Sequence, residues 1–359
     1  MKKILFLVNH EIAIYNFRKE LVERLLQKGH EVVISSPSGE RIEMLKQMGC
    51  RHVEVSFDRH GMNPFAELKL LMYYKRLIAK ENPDIIFSYT IKPNIYGSLA
   101  AKKNKIPIVV TTTGLGSAVE KPGIVRQIIL LLYKCAWKEV QTCFIQNTEN
   151  YRFFVENRIY PEKIKRIPGS GVNLSHYAPI QYPPDITIEF VFIARIMKEK
   201  GIDEYLSAAE AMRAKYPQTR FHICGFYEED YEEKIKALEK REIIHYHGMV
   251  SDTREILAKV HCTVLPSYHE GMSNVLLESA ACARPVIASA IAGCQETFDE
   301  GISGFGVKPR DKKDLEDVME KFVLLSYDQK AEMGIAGRRK VEKNFDRKFV
   351  IDAYMRELE

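Results

Sequence analysis

The chain of 359 residues is most informative first in what it lacks. Its seven cysteines include no C-x-x-C pair, which leaves no zinc knuckle and no evenly paired disulfide framework. No apolar run approaches the ~20 residues that a bilayer crossing needs. The opening Met1-Lys2-Lys3 followed by Ile4-Leu5-Phe6-Leu7-Val8 has a basic front and a short apolar core, but no small-residue cleavage site. It meets Asn9-His10-Glu11 at once, so it reads as a buried first strand rather than a secretory signal, and a cytoplasmic chain is expected. The loop Asn9–Tyr15 after that strand contains no glycine, which removes the phosphate turn of a dinucleotide dehydrogenase. No nucleic-acid module and no Arg-rich, aromatic-interleaved stripe occurs, so nucleic acid is not expected as a partner.

What is present is a 46% hydrophobic, 28% charged composition, typical of a folded globular protein. The net charge of +5 is unevenly placed. Residues 1–175 hold 27 Lys and Arg against 16 Asp and Glu, while residues 176–359 hold 26 against 32. A basic first half suits an anionic partner, such as a phosphorylated substrate or an acidic membrane surface; a solvated basic face explains the charge alone equally well.

Two strand–helix series follow one another. In the first, strands are expected at Ile4–Val8, Glu31–Ser35, Asp84–Ser88, Ile106–Val110 and Val140–Gln146, with helices at Tyr15–Lys28, Pro64–Lys80 and Ile95–Lys103. In the second, strands are expected at Ile188–Ile193, Arg220–Cys224, Ile243–His245, Cys262–Leu265 and Pro285–Ala288. Its helices fall at Ile202–Lys215, Glu228–Lys240, Asn274–Ala283 and Asp311–Leu325. The alternation predicts an α/β fold of two doubly wound parallel-sheet domains, 1–175 and 176–345, with ligands in the cleft at the carboxyl ends of their strands. The proline-rich 177–184 reads as the linker, and a terminal helix at 346–359 is free to pack back on the first domain.

The most informative stretch is His269-Glu270-Gly271-Met272-Ser273-Asn274-Val275-Leu276-Leu277-Glu278. It follows a strand and opens a helix with Ser273 or Asn274 as N-cap, so unpaired amides and the positive dipole end can receive a diphosphate. Gly271 admits a ligand close to the backbone. Glu270 lies in the loop and Glu278 about a turn inside the helix. One carboxylate can reach a sugar and the other a ribose diol, although two glutamates at this spacing are by themselves only a solvated helix face. A second piece, Arg195 to Gly201, places Arg195 and Lys200 after another strand; a guanidinium can bind a diphosphate in bidentate fashion and an ammonium as a point charge. His245 and His247 flank a strand end and assemble no site with the other histidines.

Arg195-x4-Lys200-Gly201 followed by Glu270-Gly271-x6-Glu278 resembles the signature of the family-four glycosyltransferases, which have the GT-B fold. Ile167–Asn173 is similar to the family's P-x-G-V-D/N segment, Ala281–Ser289 to its G-x-P-V-I-A strand, and Gly301–Val307 to its D-G-x-x-G-x-L-V loop. The resemblance implies transfer of a sugar from a nucleotide donor with retention of anomeric configuration. It assigns Glu270 to the donor-sugar hydroxyls, and Arg195 and Lys200 to the leaving diphosphate. The amides of Met272, Ser273, Asn274 and Val275 would assist them, and Glu278 would hold the ribose. Cleaving a glycosyl–phosphate bond builds negative charge on the diphosphate and oxocarbenium character on the sugar, which fits that division. No Asp-x-Asp occurs, the metal-binding mark of the other large glycosyltransferase fold, so neither metal nor other cofactor is expected.

On the acceptor side, His10, Asn16 and Arg18 lie in the loop and helix after the first strand, where relatives often carry glycines. Lys92 and Asn94 follow the Asp84–Ser88 strand, and Thr113 and Gly114 end the next; Thr113 stands where many relatives have a histidine. This pattern is similar to a bacterial subgroup that builds capsule, O-antigen or lipid-linked oligosaccharides on polyprenyl-diphosphate-linked sugars. Such an acceptor agrees with the basic first half. The apolar segment 121–134, fringed by Lys121, Arg126 and Lys134, suits either an anionic membrane interface or a core helix, with peripheral attachment to the inner face of the membrane under the first reading. Two rivals remain: a nucleotide-sugar epimerase of the same fold, and a non-catalytic nucleotide-sugar-binding partner of a polysaccharide-assembly complex.

Overall fold

Ile4, Leu5, Phe6 and Leu7 are all fully buried, because helices cover both faces of the sheet they help to form. The computed structural model describes residues 1–56, 63–114 and 123–359. These divide into two compact units, Met1–Ser170 with Phe349–Glu359, and Gly171–Lys348.

The first unit runs β1 (Lys3–Leu7), α1 (Ile12–Phe17), α2 (Lys19–Gln27), β2 (Glu31–Ser36), α3 (Ile42–Gln47), β3 (Arg51–Glu54), α4 (Pro64–Glu81), β4 (Ile85–Tyr89), α5 (Ser98–Asn104), β5 (Ile108–Thr112), α6 (Ile124–Trp137), β6 (Thr142–Ile145), α7 (Thr148–Glu156) and β7 (Ile164–Arg166). All seven strands are parallel, in the order β3-β2-β1-β4-β5-β6-β7. The order reverses between β1 and β4, where Ile4 pairs with Ile85. A crevice at that switch is where open α/β sheets hold ligands. One layer of the core packs Trp137 against Phe154 and Tyr133, all fully buried.

The second unit runs β8 (Ile188–Ile193), α8 (Ile202–Lys215), β9 (Thr219–Cys224), α9 (Glu232–Lys240), β10 (His245–Tyr246), α10 (Arg254–Leu257), β11 (Cys262–Leu265), α11 (Asn274–Ala281), β12 (Val286–Ser289), α12 (Ala292–Gln295), β13 (Gly304–Val307), α13 (Lys312–Val323) and α14 (Tyr327–Asn344). Its six parallel strands lie in the order β10-β9-β8-β11-β12-β13, so the switch falls between β8 and β11. The last helix, α15 (Arg347–Arg356), carries the chain back into the first unit. There Tyr354 is fully buried against Phe87, Tyr89 and Phe144.

Several elements differ from the reading of the sequence. The expected helix Tyr15–Lys28 is broken at Arg18, whose φ of −135° leaves the helical region. The expected helix Ile95–Lys103 begins with a π-helical turn, Pro93–Gly97. The short strands β3 and β7 carry exposed residues that dilute their apolar pattern. The segment 177–184 is no free linker. The fully buried Arg284 donates to the carbonyls of Leu257, Ile180 and Gln181 at 2.7, 3.0 and 2.8 Å. An extended segment without ladder partners needs such donors for its carbonyls. Nor are His245 and His247 solitary: His222 bonds His247 at 2.9 Å and Glu189 at 2.8 Å, with His245 stacked on its ring. Parallel pairing of β9 with β10 sets His222 opposite His245, a register invisible in the sequence.

Candidate active site

Adjacent strands β8 and β11 end side by side, so the loops that leave them must meet. After β8 comes a 3₁₀ turn, Lys198–Lys200, closed by Gly201 at φ +77°. A Cβ at Gly201 would collide with the carbonyl of Pro266, so only glycine lets the first loop lie against the second. A backbone bond from Tyr268 N to Glu199 O, 2.8 Å, joins the two loops. The result is an ion pair between Lys200 Nζ and Glu270 Oε1 at 2.6 Å, both side chains largely shielded. Ser267 Oγ donates to the same carboxylate oxygen at 2.9 Å. From the far side, Gly293 supports the loop: a Cβ there would stand 2.5 Å from the Glu270 carbonyl oxygen, and Ser273 N bonds Gly293 O at 2.9 Å.

Glu270 leads directly into α11. Ser273 is the N-cap, with extended backbone (φ −75°, ψ 104°) and its hydroxyl accepting from Leu276 N. The remaining first-turn amides have no intrahelical partner, and no acidic residue occupies that turn. This is an electropositive terminus a few residues from the Lys200 ammonium. Met272 and Ser273 are buried, Asn274 and Val275 half-buried. Glu278 lies a turn further in. Burial pushes its carboxyl up to about 7, against the pull of Arg347 and a hydrogen bond from Tyr177. Burial likewise pushes the Cys294 thiol, which feels both Glu270 and Lys200, well above its ordinary value. Arg195 is placed differently: its guanidinium is half exposed and pairs with Glu228 at 3.4 Å. Lys200, Glu270 and the α11 terminus are therefore one cluster, with Arg195 at its rim.

On the first sheet, neighbouring strands β1, β4 and β5 bring His10, Lys92, Asn94, Thr113 and Gly114 to one carboxyl edge. His10 Nδ1 contacts Glu11 Oε2 at 2.6 Å, and Lys92 pairs with Glu67 at 2.6 Å. Asn94 is buried and donates to the Thr111 carbonyl at 2.9 Å. Arg18 is not on this edge but beneath it, buried with its guanidinium over the rings of Tyr89 and Tyr354. Asn16 is exposed on α1.

The sequence did not single out Thr90. It follows β4 with φ +69°, a left-handed conformation costly for a β-branched residue, and leads into the π-helical turn. Among the described residues, Ser88 Oγ, Thr90 Oγ1, Asn94 Oδ1 and Thr112 Oγ1 are buried without a hydrogen-bond partner. Such orphaned polar atoms at a sheet's ligand edge fit a hydroxyl-rich molecule. Ser267, Gly293, Tyr177 and Arg347 were also missed; only their placement in the fold connects them to Glu270 and Glu278. Among the described residues, no three His, Cys, Asp or Glu side chains converge as metal ligands would.

Two parallel-sheet units of seven and six strands define the GT-B class of fold, and solved structures agree. A glycosyltransferase from Rickettsia africae superposes with a TM-score of 0.81 at 20% identity, covering 99% of this chain and 97% of that one. Anabaena Alr3699/HepE in complex with UDP and glucose superposes with a TM-score of 0.79 at 17% identity over 100% and 99% of the two chains. The profile of glycosyl transferases group 1 matches residues 182–340, and that of glycosyl transferase 4-like proteins residues 3–147. An N,N'-diacetylbacillosaminyl-diphospho-undecaprenol α-1,3-N-acetylgalactosaminyltransferase of Campylobacter jejuni is 30% identical over 93% of this chain and 92% of its own. The capsular polysaccharide biosynthesis glycosyltransferase CapM of Staphylococcus aureus is 26% identical over 97% and 94%. The chain belongs to the family-four glycosyltransferases, and it is a glycosyltransferase.

Proposed function

We propose that the protein moves a hexose or N-acetylhexosamine from a UDP-sugar to a polyprenyl-diphosphate-linked saccharide, with retention of configuration and without a metal ion, at the membrane surface where such an acceptor resides. The observation that supports it most is the Lys200–Glu270 pair set against the first turn of α11. Lys200 and the first-turn amides would take the charge that grows on the departing diphosphate, and Arg195 would add to it from the rim. Glu270 would orient the donor sugar and answer the positive character at its anomeric carbon. Glu278 would accept from the ribose hydroxyls. The polar edge formed by His10, Thr90, Lys92, Asn94, Thr113 and Gly114 is the surface offered to the acceptor.

The acceptor class follows from the relatives: the Campylobacter jejuni enzyme is named for an undecaprenol-diphosphate-linked amino sugar, and a 27% identical Escherichia coli enzyme for a diphosphoundecaprenol-linked GlcNAc. Because the relatives that span nearly the whole chain are transferases, the epimerase and binding-protein readings are not favoured. The test is transfer from a panel of UDP-sugars to a short-chain prenyl-diphosphate saccharide, with the anomer of the product read by NMR. Release of UDP without a new glycosidic bond, or an inverted product, would refute the assignment.

A further inference from the structure

We propose that the outward faces of α4 and α6 form a seat for an anionic bilayer surface, next to the acceptor edge. On α4, Phe65, Leu68 and Met72 are 84%, 58% and 42% exposed; on α6, Ile124, Ile128 and Leu131 are 80%, 52% and 62% exposed. Spacings of three and four align each trio into one stripe along its helix. The opposite faces behave as a core requires: Leu70, Tyr74, Leu77 and Ile78 of α4 and Tyr133, Ala136 and Trp137 of α6 are buried in one layer. Each helix is therefore apolar on both sides, and only one side is covered by this chain.

Both stripes start in the amino-terminal halves of their helices. In a parallel α/β sheet those halves lie by the carboxyl ends of the strands. Both helices pack on the π-helical turn Pro93–Gly97, which carries the buried Asn94. The apolar surface thus flanks the edge assigned to the acceptor. Residues 121 and 122 of the apolar segment read from the sequence lie outside the described residues, and the seat does not use them.

The charge beside the stripes selects the occupant. Exposed Lys69 and Arg76 continue the α4 stripe, and exposed Lys134 ends the α6 stripe one turn after Leu131. No acidic residue lies on α6, while the two carboxylates of α4 turn inward, Glu67 to Lys92 and Glu81 to Arg51. Beside α6 a groove of about 420 Å³ is lined by Arg126, Leu130, Leu131, Lys134 and Asn157, a cationic rim over an apolar wall that fits a lipid phosphate and the start of its chains. A second copy meeting this face about a two-fold axis would set like cations against each other, whereas an anionic surface neutralises them. The inference deepens the reading of a lipid-linked acceptor, but its observations are independent of that reading.

The experiment is flotation of the full chain, without donor or acceptor, on vesicles of phosphatidylcholine alone or mixed with phosphatidylglycerol. The wild type should float only with the anionic vesicles and be released by high salt. Phe65→Asp/Leu68→Asp and Ile128→Asp/Leu131→Asp should abolish flotation, and Lys134→Ala should weaken vesicle affinity roughly fivefold. These side chains are exposed, so the variants should keep the wild-type unfolding temperature and transfer to a short-chain soluble acceptor. Wild type that stays with neither vesicle, or stripe variants that float as well as wild type, would overturn the proposal. A dimer in sedimentation that the stripe variants dissolve, without flotation of wild type, would also overturn it and make the face a self-association surface. Flotation without transfer to any acceptor would refute the proposed reaction and leave the seat standing.

Discussion

Tyr354 and Thr111 stand 243 positions apart, yet their hydroxyls share a hydrogen bond inside the first unit. The ring of Tyr354 lies against Phe87, Tyr89 and Phe144, and Glu357 bonds Thr142 Oγ1 at 2.7 Å one turn later. Residues 349–359 are thus part of the first unit's core. Tyr354→Ala should cost about 3–5 kcal/mol of stability, read as a lower urea midpoint, because it empties a fully enclosed aromatic site. Tyr354→Phe should cost only about 1–3 kcal/mol, the price of an unsatisfied buried hydroxyl at Thr111. Equal costs for the two would show that ring packing is not what matters there.

Lys200→Ala should lower kcat by about 10²–10³, the typical effect of removing one donor to a developing anion. The fold should survive, since the side chain reaches from a loop and Ser267 still bonds Glu270. Steady-state kinetics at saturating donor, with unfolding temperature as control, decides it. Turnover at the wild-type level would remove the ammonium from the reaction.

Glu278 makes stability depend on pH in an unusual direction. Its folded carboxyl is raised from the ordinary 4.5 to about 7 by burial. Between those values the folded chain keeps a proton that the unfolded chain has lost, so stability falls as pH rises through that window and levels off above it. Glu278→Gln should flatten this part of the pH profile. Denaturant midpoints taken at half-unit steps across the window provide the measurement, and an unchanged slope in the variant would contradict the assignment.

Gly293→Ala should impair transfer without any chemical group being lost. The added methyl would press on the Glu270 carbonyl at 2.5 Å and must displace either α12 or the loop that carries Glu270. A reduced kcat with a native-like unfolding temperature is the expected pattern, because a small misplacement at the reacting groups weakens catalysis more than it weakens the fold.

Much of this was readable from the chain alone. The long, nearly unbroken apolar strands revealed the fold class, and the Glu270–Glu278 stretch marked a loop-to-helix junction that the structure sets beside Lys200, because a glycine, an N-cap and two carboxylates are local features. What escaped depends on register and backbone shape. His222 meets His247 only because β9 and β10 pair. Thr90 has no sequence mark of its left-handed backbone. Arg18 reads from the sequence as an acceptor-side candidate, yet it is sealed under two tyrosines, one from a helix more than 300 residues away that no local pattern could supply.

The contact between Lys200 and Glu270 has a consequence for the idle enzyme. With the ammonium already answered by the Glu270 carboxylate, whose same oxygen also accepts from Ser267, the cluster presents little bare positive charge. Inorganic phosphate would have to break that embrace while bringing no sugar and no nucleoside in return. If Lys200 receives the diphosphate as proposed, this internal counter-ion would work as a filter, with free anions competing poorly against a molecule gripped at several points.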